Sequence, residues 1–103
     1  MNTQILEKIG FTKGEIKVYF SLLKLGNTSS GPIIKDSGIA GSKVYEILNK
    51  LKNKGLVSET IREKTKHFQA SAPSRVLDYI NSKEREIIWE KKEFISRRLL
   101  LLR

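Results

Sequence analysis

A chain of 103 residues with a net charge of +9 has room for one modest hydrophobic core, and its lack of cysteine excludes a disulfide framework, a thiol nucleophile and cysteine-ligated zinc. The positive balance favours a polyanionic partner, either nucleic acid or an anionic membrane surface. Glu7 and Lys8 interrupt the first apolar segment, so no signal peptide is expected, and no run approaches the roughly 20 apolar residues that span a bilayer. A soluble protein of a reducing cytoplasm fits these limits.

In chain order, residues 3–9 read as a short leading helix ended by Gly10. Thr12 caps a stronger helix, with Glu15 at the capping-box position; Ile16, Tyr19, Phe20 and Leu23 are expected to form its apolar stripe, and Gly26 stops it. Thr28, Ser29 and Ser30 make either a short strand or the cap of the next helix. Pro32 suits the first turn of that helix, Ile33 and Ile34 face inward, and Gly38 breaks the chain for a turn. Ser42 is the candidate N-cap of a helix over 42–54, with inner face Val44, Ile47, Leu48 and Leu51, and Gly55 closes it.

At 100° per residue, the outer face of this helix carries Ser42, Glu46, Asn49 and Asn53, with Lys43 and Lys50 on one flank and Tyr45 on the other. Asn can read adenine with two hydrogen bonds, and Lys can reach guanine or phosphate. A carboxylate at Glu46 is awkward there, since it either accepts from cytosine or repels phosphate. The same pattern also describes an ordinary solvated helix face. What favours DNA is the context: a helix-turn-helix followed by a charged hairpin.

In that hairpin, over residues 56–70, Val57, Glu59 and Ile61 alternate with Ser58 and Thr60, and Phe68 and Ala70 alternate with His67 and Gln69. Arg62, Lys64 and Lys66 gather at the tip. Residues 42–66 hold the basic Lys43, Lys50, Lys52, Lys54, Arg62, Lys64 and Lys66 against the acidic Glu46, Glu59 and Glu63, a net +4 of the total +9. Such charges position a protein on the phosphate backbone and make binding salt-dependent. The lone His67 has no second ligand at a metal-binding spacing and is expected to be a strand surface residue; no metal or other cofactor is expected.

The motifs now combine. The run Ile9-Gly10-Phe11-Thr12, Glu15, Val18-Tyr19, Leu22-Leu23, Leu25-Gly26, then Ser37-Gly38-Ile39, Ser42-Lys43-Val44-Tyr45 and Leu48, then Lys54-Gly55-Leu56-Val57, Phe68, Ala70, Pro73 and Leu77 resembles the TrmB-like winged-helix regulators over about residues 5–80. The resemblance implies a DNA-binding transcriptional regulator, most often archaeal, that dimerises and reads operator DNA through its second helix and wing. Ala40-Gly41 stands where the family commonly has Pro-Arg, which removes one arginine contact at the mouth of the reading helix. Glu63-Lys64-Thr65 replaces a Gly-Arg-Pro-like wing turn. Family members that sense sugars carry a large C-terminal effector domain that residues up to Arg103 do not include, so no small-molecule effector is expected of this chain.

Residues 74–103 read as one long helix. Ile80, Ile87, Phe94 and Leu101 recur every seven residues, accompanied by Leu77, Ile88, Ile95 and Leu102. A second subunit is the simplest cover for so long a stripe; the alternative is a monomer that folds the stripe against its own domain. Glu84, Lys91 and Arg98 lie within the stripe and either pair between chains or, the reading preferred here, lay their aliphatic stems over the seam. Trp89 and Leu100 are expected to pack back on the body.

The expected fold is thus mainly α with a small β-hairpin: a winged helix-turn-helix over 1–72, then a long C-terminal dimerisation helix over 73–103. The expected function is a sequence-specific DNA-binding regulator acting as a homodimer, with Ser29, Ser30, Ser42, Lys43, Tyr45, Glu46, Asn49, Lys50, Asn53, Arg62, Lys64 and Lys66 toward double-stranded DNA. Ile80, Ile87, Ile88, Phe94, Ile95, Leu101 and Leu102 are expected in the dimer interface. The alternative is a winged-helix protein-interaction module in a transcription-related assembly, which would present an apolar patch in place of a continuous positive surface. No acid–base pair, nucleophile or phosphate loop suggests an enzyme, and charge on both sides of the long helix argues against a membrane-surface role.

Overall fold

The structure is a computed structural model that describes residues 3–101, with side chains through Arg98. The elements run α1 (Gln4–Lys8), α2 (Lys13–Leu25), α3 (Ser30–Ser37), α4 (Gly41–Asn53), β1 (Val57–Arg62), β2 (Thr65–Ala70) and α5 (Pro73–Leu101). Helix α2 starts in a complete capping box: the Thr12 hydroxyl accepts from the Glu15 N–H at 3.1 Å, and a Glu15 carboxylate oxygen accepts from the Thr12 N–H at 3.4 Å. Gly38, at φ 72°, supplies the left-handed residue that ends α3 and swings the chain into α4.

One core joins α2, α3, α4 and the hairpin. Val18, Leu22, Ile33, Val44, Ile47, Leu48, Leu51, Leu56, Val57 and Phe68 are buried in it, with Ile9, Phe11 and Ile16 at one end. All four inner-face residues expected of α4 lie there. The stripe expected of α2 is rotated: Val18 and Leu22 form its buried centre, whereas Leu23 is exposed. The reason is that α2 is apolar on two sides. Tyr19 and Leu23 line a second, open groove against Val76, Leu77 and Ile80 of α5.

Helix α4 begins one residue before the expected cap. Ala40 holds the N-cap position without a side-chain hydrogen bond, and Ser42 sits inside the first turn. A Cβ at Gly41 would stand 3.3 Å from the Ile34 side chain, so glycine there lets the first turn pass close to α3. Ser29 is the N-cap residue of α3, also without a side-chain bond. Its neighbour Thr28 pairs with Phe68, exchanging N–H···O bonds of 3.0 and 2.7 Å, so the cap segment also extends the hairpin edge.

The hairpin is antiparallel, with Arg62 opposite Thr65 and a two-residue turn at Glu63-Lys64. Helix α5, 29 residues and so about 43 Å long, makes the molecule 64 × 25 × 24 Å. Its first half leans on the body: Val76, Tyr79, Ile80 and Ile87 pack partly against the core. Beyond that it projects away. Trp89 is 67% exposed, so it does not pack back as expected; it lies about 200° around the helix from Ile87, which faces the body. Leu102 and the side chains of Leu100 and Leu101 lie outside the described residues.

Candidate nucleic-acid interface

Ser42, Lys43, Glu46, Asn49, Lys50 and Asn53 are all exposed on the outer side of α4. Glu46 lies between two cations, 3.7 Å from Lys43 and 3.4 Å from Lys50. The acid on this face is therefore locally neutralised. The carboxylate holds both ammonium groups on the outer side of α4, and half-exposed pairs of this kind are weak.

Tyr45 is half exposed and does structural work. Its hydroxyl and the Ser30 hydroxyl are 2.7 Å apart, and its ring meets Phe68 edge-on at 6.5 Å. It thereby ties α4 to the start of α3 and to β2. Ser30 enters the surface through this bond, while Ser29 sits beside it at the cap.

The hairpin register divides the wing charges. Residues opposite one another share a face, so Ile61 and Lys66 lie on the same side as Glu59 and Phe68. That side faces α4: Lys66, Glu59 and Phe68 line a cleft of about 110 Å³ together with Tyr45, Leu48 and Asn49. Arg62 falls on the opposite face, with Thr60 and His67, and Lys64 stands at the tip. The expected cluster of three is therefore a strip wrapped around the end of the wing. Glu63 and Lys64 both have positive φ, 49° and 65°, the backbone of a tight turn that favours Asn-Gly. His67 is half-buried, with a ring nitrogen 3.2 Å from the Thr65 carbonyl.

Two of the seven lysines and arginines in the segment, the exposed Lys52 and the half-buried Lys54, pair with carboxylates on other elements. Lys52 pairs with Glu59 at 3.5 Å and so clips the wing to α4. Lys54 donates to Glu15 at 2.8 Å and lies 4.5 Å over the Phe11 ring, which meets Tyr79 of α5 edge-on at 5.8 Å. Burial alone would raise the Glu15 carboxyl, but the Lys54 ammonium and the Thr12 hydrogen bonds outweigh it and hold the group below its ordinary value. Sequence reading missed this anchor, since Glu15 and Lys54 are far apart in the chain. The one available signal was the use of Glu15 in a capping box, which fixes where its carboxylate sits.

A helix-turn-helix with a basic hairpin beside its second helix defines the winged-helix class. Residues 6–74 match the family described as sugar-specific transcriptional regulator TrmB. This chain belongs to that family. A curated relative, the HTH-type sugar sensing transcriptional regulator TrmBL1 of Pyrococcus furiosus, is 43% identical over 54 residues, which are 52% of this chain and 16% of that protein. The chain thus spans a small part of that relative. Among solved structures, a possible transcriptional regulator from Methanosarcina mazei superposes with a TM-score of 0.79 at 12% identity, covering 91% of this chain and 85% of its own. TrmBL2, an archaeal chromatin protein, superposes with a TM-score of 0.76 at 20% identity over 96% of this chain and 39% of its own. The structural likeness is one of fold. Among the described residues, no helix is long and apolar enough to cross a membrane.

Proposed function

We propose that this chain is a sequence-specific DNA-binding transcriptional regulator that acts in the cytoplasm as a homodimer. Residues 1–72 form the DNA-binding unit and 73–103 the dimerisation element. Helix α4 enters the major groove, with Asn49 reading a base edge and Lys43 and Lys50 reaching guanine or phosphate. The wing follows the flanking backbone through Arg62, Lys64 and Lys66. Regulation is steric, by occupation of a promoter.

The observation that carries this reading is the shared cleft: Asn49 of the reading helix and Lys66 of the wing border one space, with exposed cations on both sides. Membership of a regulator family supports it. One feature favours a second reading, a protein-interaction module. Ile61 is 69% exposed beside Lys66, on the wing face turned toward α4.

The test is a salt titration of binding to a fluorescent duplex of the chain's own promoter region and to a scrambled duplex. Tighter binding to the promoter, with both affinities falling as salt rises, is the expected result. Equal, weak binding to this duplex and to tiled genomic fragments would remove the DNA reading in favour of the interaction module.

A further inference from the structure

The charges of α5 fall into two sorts. Lys83 pairs with Glu86 at 3.1 Å and Arg97 with Glu93 at 2.8 Å, along the helix's own surface. Several other α5 charges form no ion pair with a described residue, but among them only Glu84 and Lys91 both lie within the apolar stripe and border the groove beside α1. They are two helical turns apart, about 10 Å along the axis, and cannot meet each other. Both border an open groove of about 560 Å³ between α1 and α5, lined also by Ile5, Ile9, Ile87 and Ile88. Ile5 and Ile88 are 44% and 52% exposed. Lys8 stands at the same rim. A carboxylate at one end of an apolar groove and an ammonium at the other form a surface that complements itself under a two-fold rotation.

Resting on the homodimer reading above, we propose that this groove seats a second copy of the chain, with its α5 antiparallel to the first and the two-fold axis between Ile87 and Ile88. In that register Glu84 stands opposite Lys91 of the second copy, and by symmetry the pair occurs twice. Ile80 meets Ile95 of the second copy, and Ile87 meets Ile88. A parallel pairing in register does the reverse. It sets Glu84, Lys91 and Arg98 each against its own copy, three like-charge contacts along one seam, which is strongly disfavoured in a desolvated interface. The stems-over-the-seam reading therefore gives way at Glu84 and Lys91 to ion pairs that fix direction and register.

The absence of cysteine from the sequence makes single-cysteine variants clean probes. Differently tagged Ile80→Cys and Ile95→Cys chains, mixed and mildly oxidised, are expected to give the mixed disulfide, while neither variant alone cross-links to itself. Glu84→Lys and Lys91→Glu should each weaken self-association about tenfold, and an equimolar mixture of the two should recover it. Self-linked Ile80→Cys and Ile95→Cys without the mixed product would overturn the antiparallel register and leave the homodimer standing. A wild-type chain that sediments as a monomer at micromolar concentration would remove both. Ile95 is 57% exposed, so its replacement leaves the fold in place.

Discussion

Glu15 and Lys54 form an asymmetric pair, and the asymmetry decides which substitution costs more. Glu15 is 4% exposed, whereas the Lys54 side chain is 26% exposed and can swing into water. Lys54→Met strands a buried carboxylate and is expected to cost about 2–3 kcal/mol in urea unfolding; Glu15→Gln frees the ammonium and should cost about 1 kcal/mol. The carboxyl is held below its ordinary value of 4.5, so its contribution is present above that value. As pH falls through the lowered folded value, the contribution is lost. The stability gap between wild type and Glu15→Gln should therefore be constant near neutrality and close only below the ordinary carboxylate range. On the reading face, Asn49→Ala should relax base preference at one operator position by about 1–3 kcal/mol without a change in salt dependence, as measured by competition binding. Unchanged preference would take Asn49 out of base contact.

Among the elements, the wing carries a cost of its own. Two consecutive non-glycine residues at positive φ make its turn, and an Asn-Gly pair would adopt that backbone with less strain. Glu63→Asn with Lys64→Gly should stabilise the protein by about 1 kcal/mol in thermal unfolding. If Lys64 also touches a phosphate, the same variant should lower the slope of log affinity on log salt by about 1. The elements also show where a sequence is readable. Val44, Ile47, Leu48 and Leu51 were legible because α4 is polar on every other side, so the period leaves one choice. In α2 the apolar residues Ile16, Val18, Tyr19, Phe20, Leu22 and Leu23 surround much of the helix. Periodicity alone could not tell the core side from the side toward α5. The cap of α4 fell at Ala40 and not at Ser42, since no side-chain bond fixes this terminus, and the close approach of Gly41 to Ile34 is a contact between helices that no local pattern announces. For the candidate site, residue types and faces were legible, but the pairing of Lys52 with the wing and of Lys54 with Glu15 depended on the tertiary fold.

The molecule as a whole is a body with a helix that outgrows it. Ile80 and Ile87 are half covered by their own chain, whereas Leu77, Ile88, Phe94 and Ile95 remain more than half exposed. Exposed apolar residues in such a row mark an interaction surface. Phe94→Asp should convert dimers to monomers in sedimentation while leaving far-UV circular dichroism unchanged, since Phe94 contributes nothing to the core. A dimer that survives this change would move the seam elsewhere. The heptad was readable from sequence, but the division of its residues between body and projection was not, because it depends on where the body ends.

The pairing of Thr28 with Phe68 bears on how the chain finds its fold. That contact closes a loop of about 40 residues, containing α3, α4 and β1, whereas the hairpin closes over a turn of two residues. The longer closure costs about 2.6 kcal/mol more in chain entropy. The hairpin and the helices therefore organise from contacts near in sequence, and docking of the Thr28 edge comes late. Thr28→Pro, which removes the N–H that donates to the Phe68 carbonyl, should hasten unfolding and leave the refolding rate nearly untouched in a stopped-flow chevron.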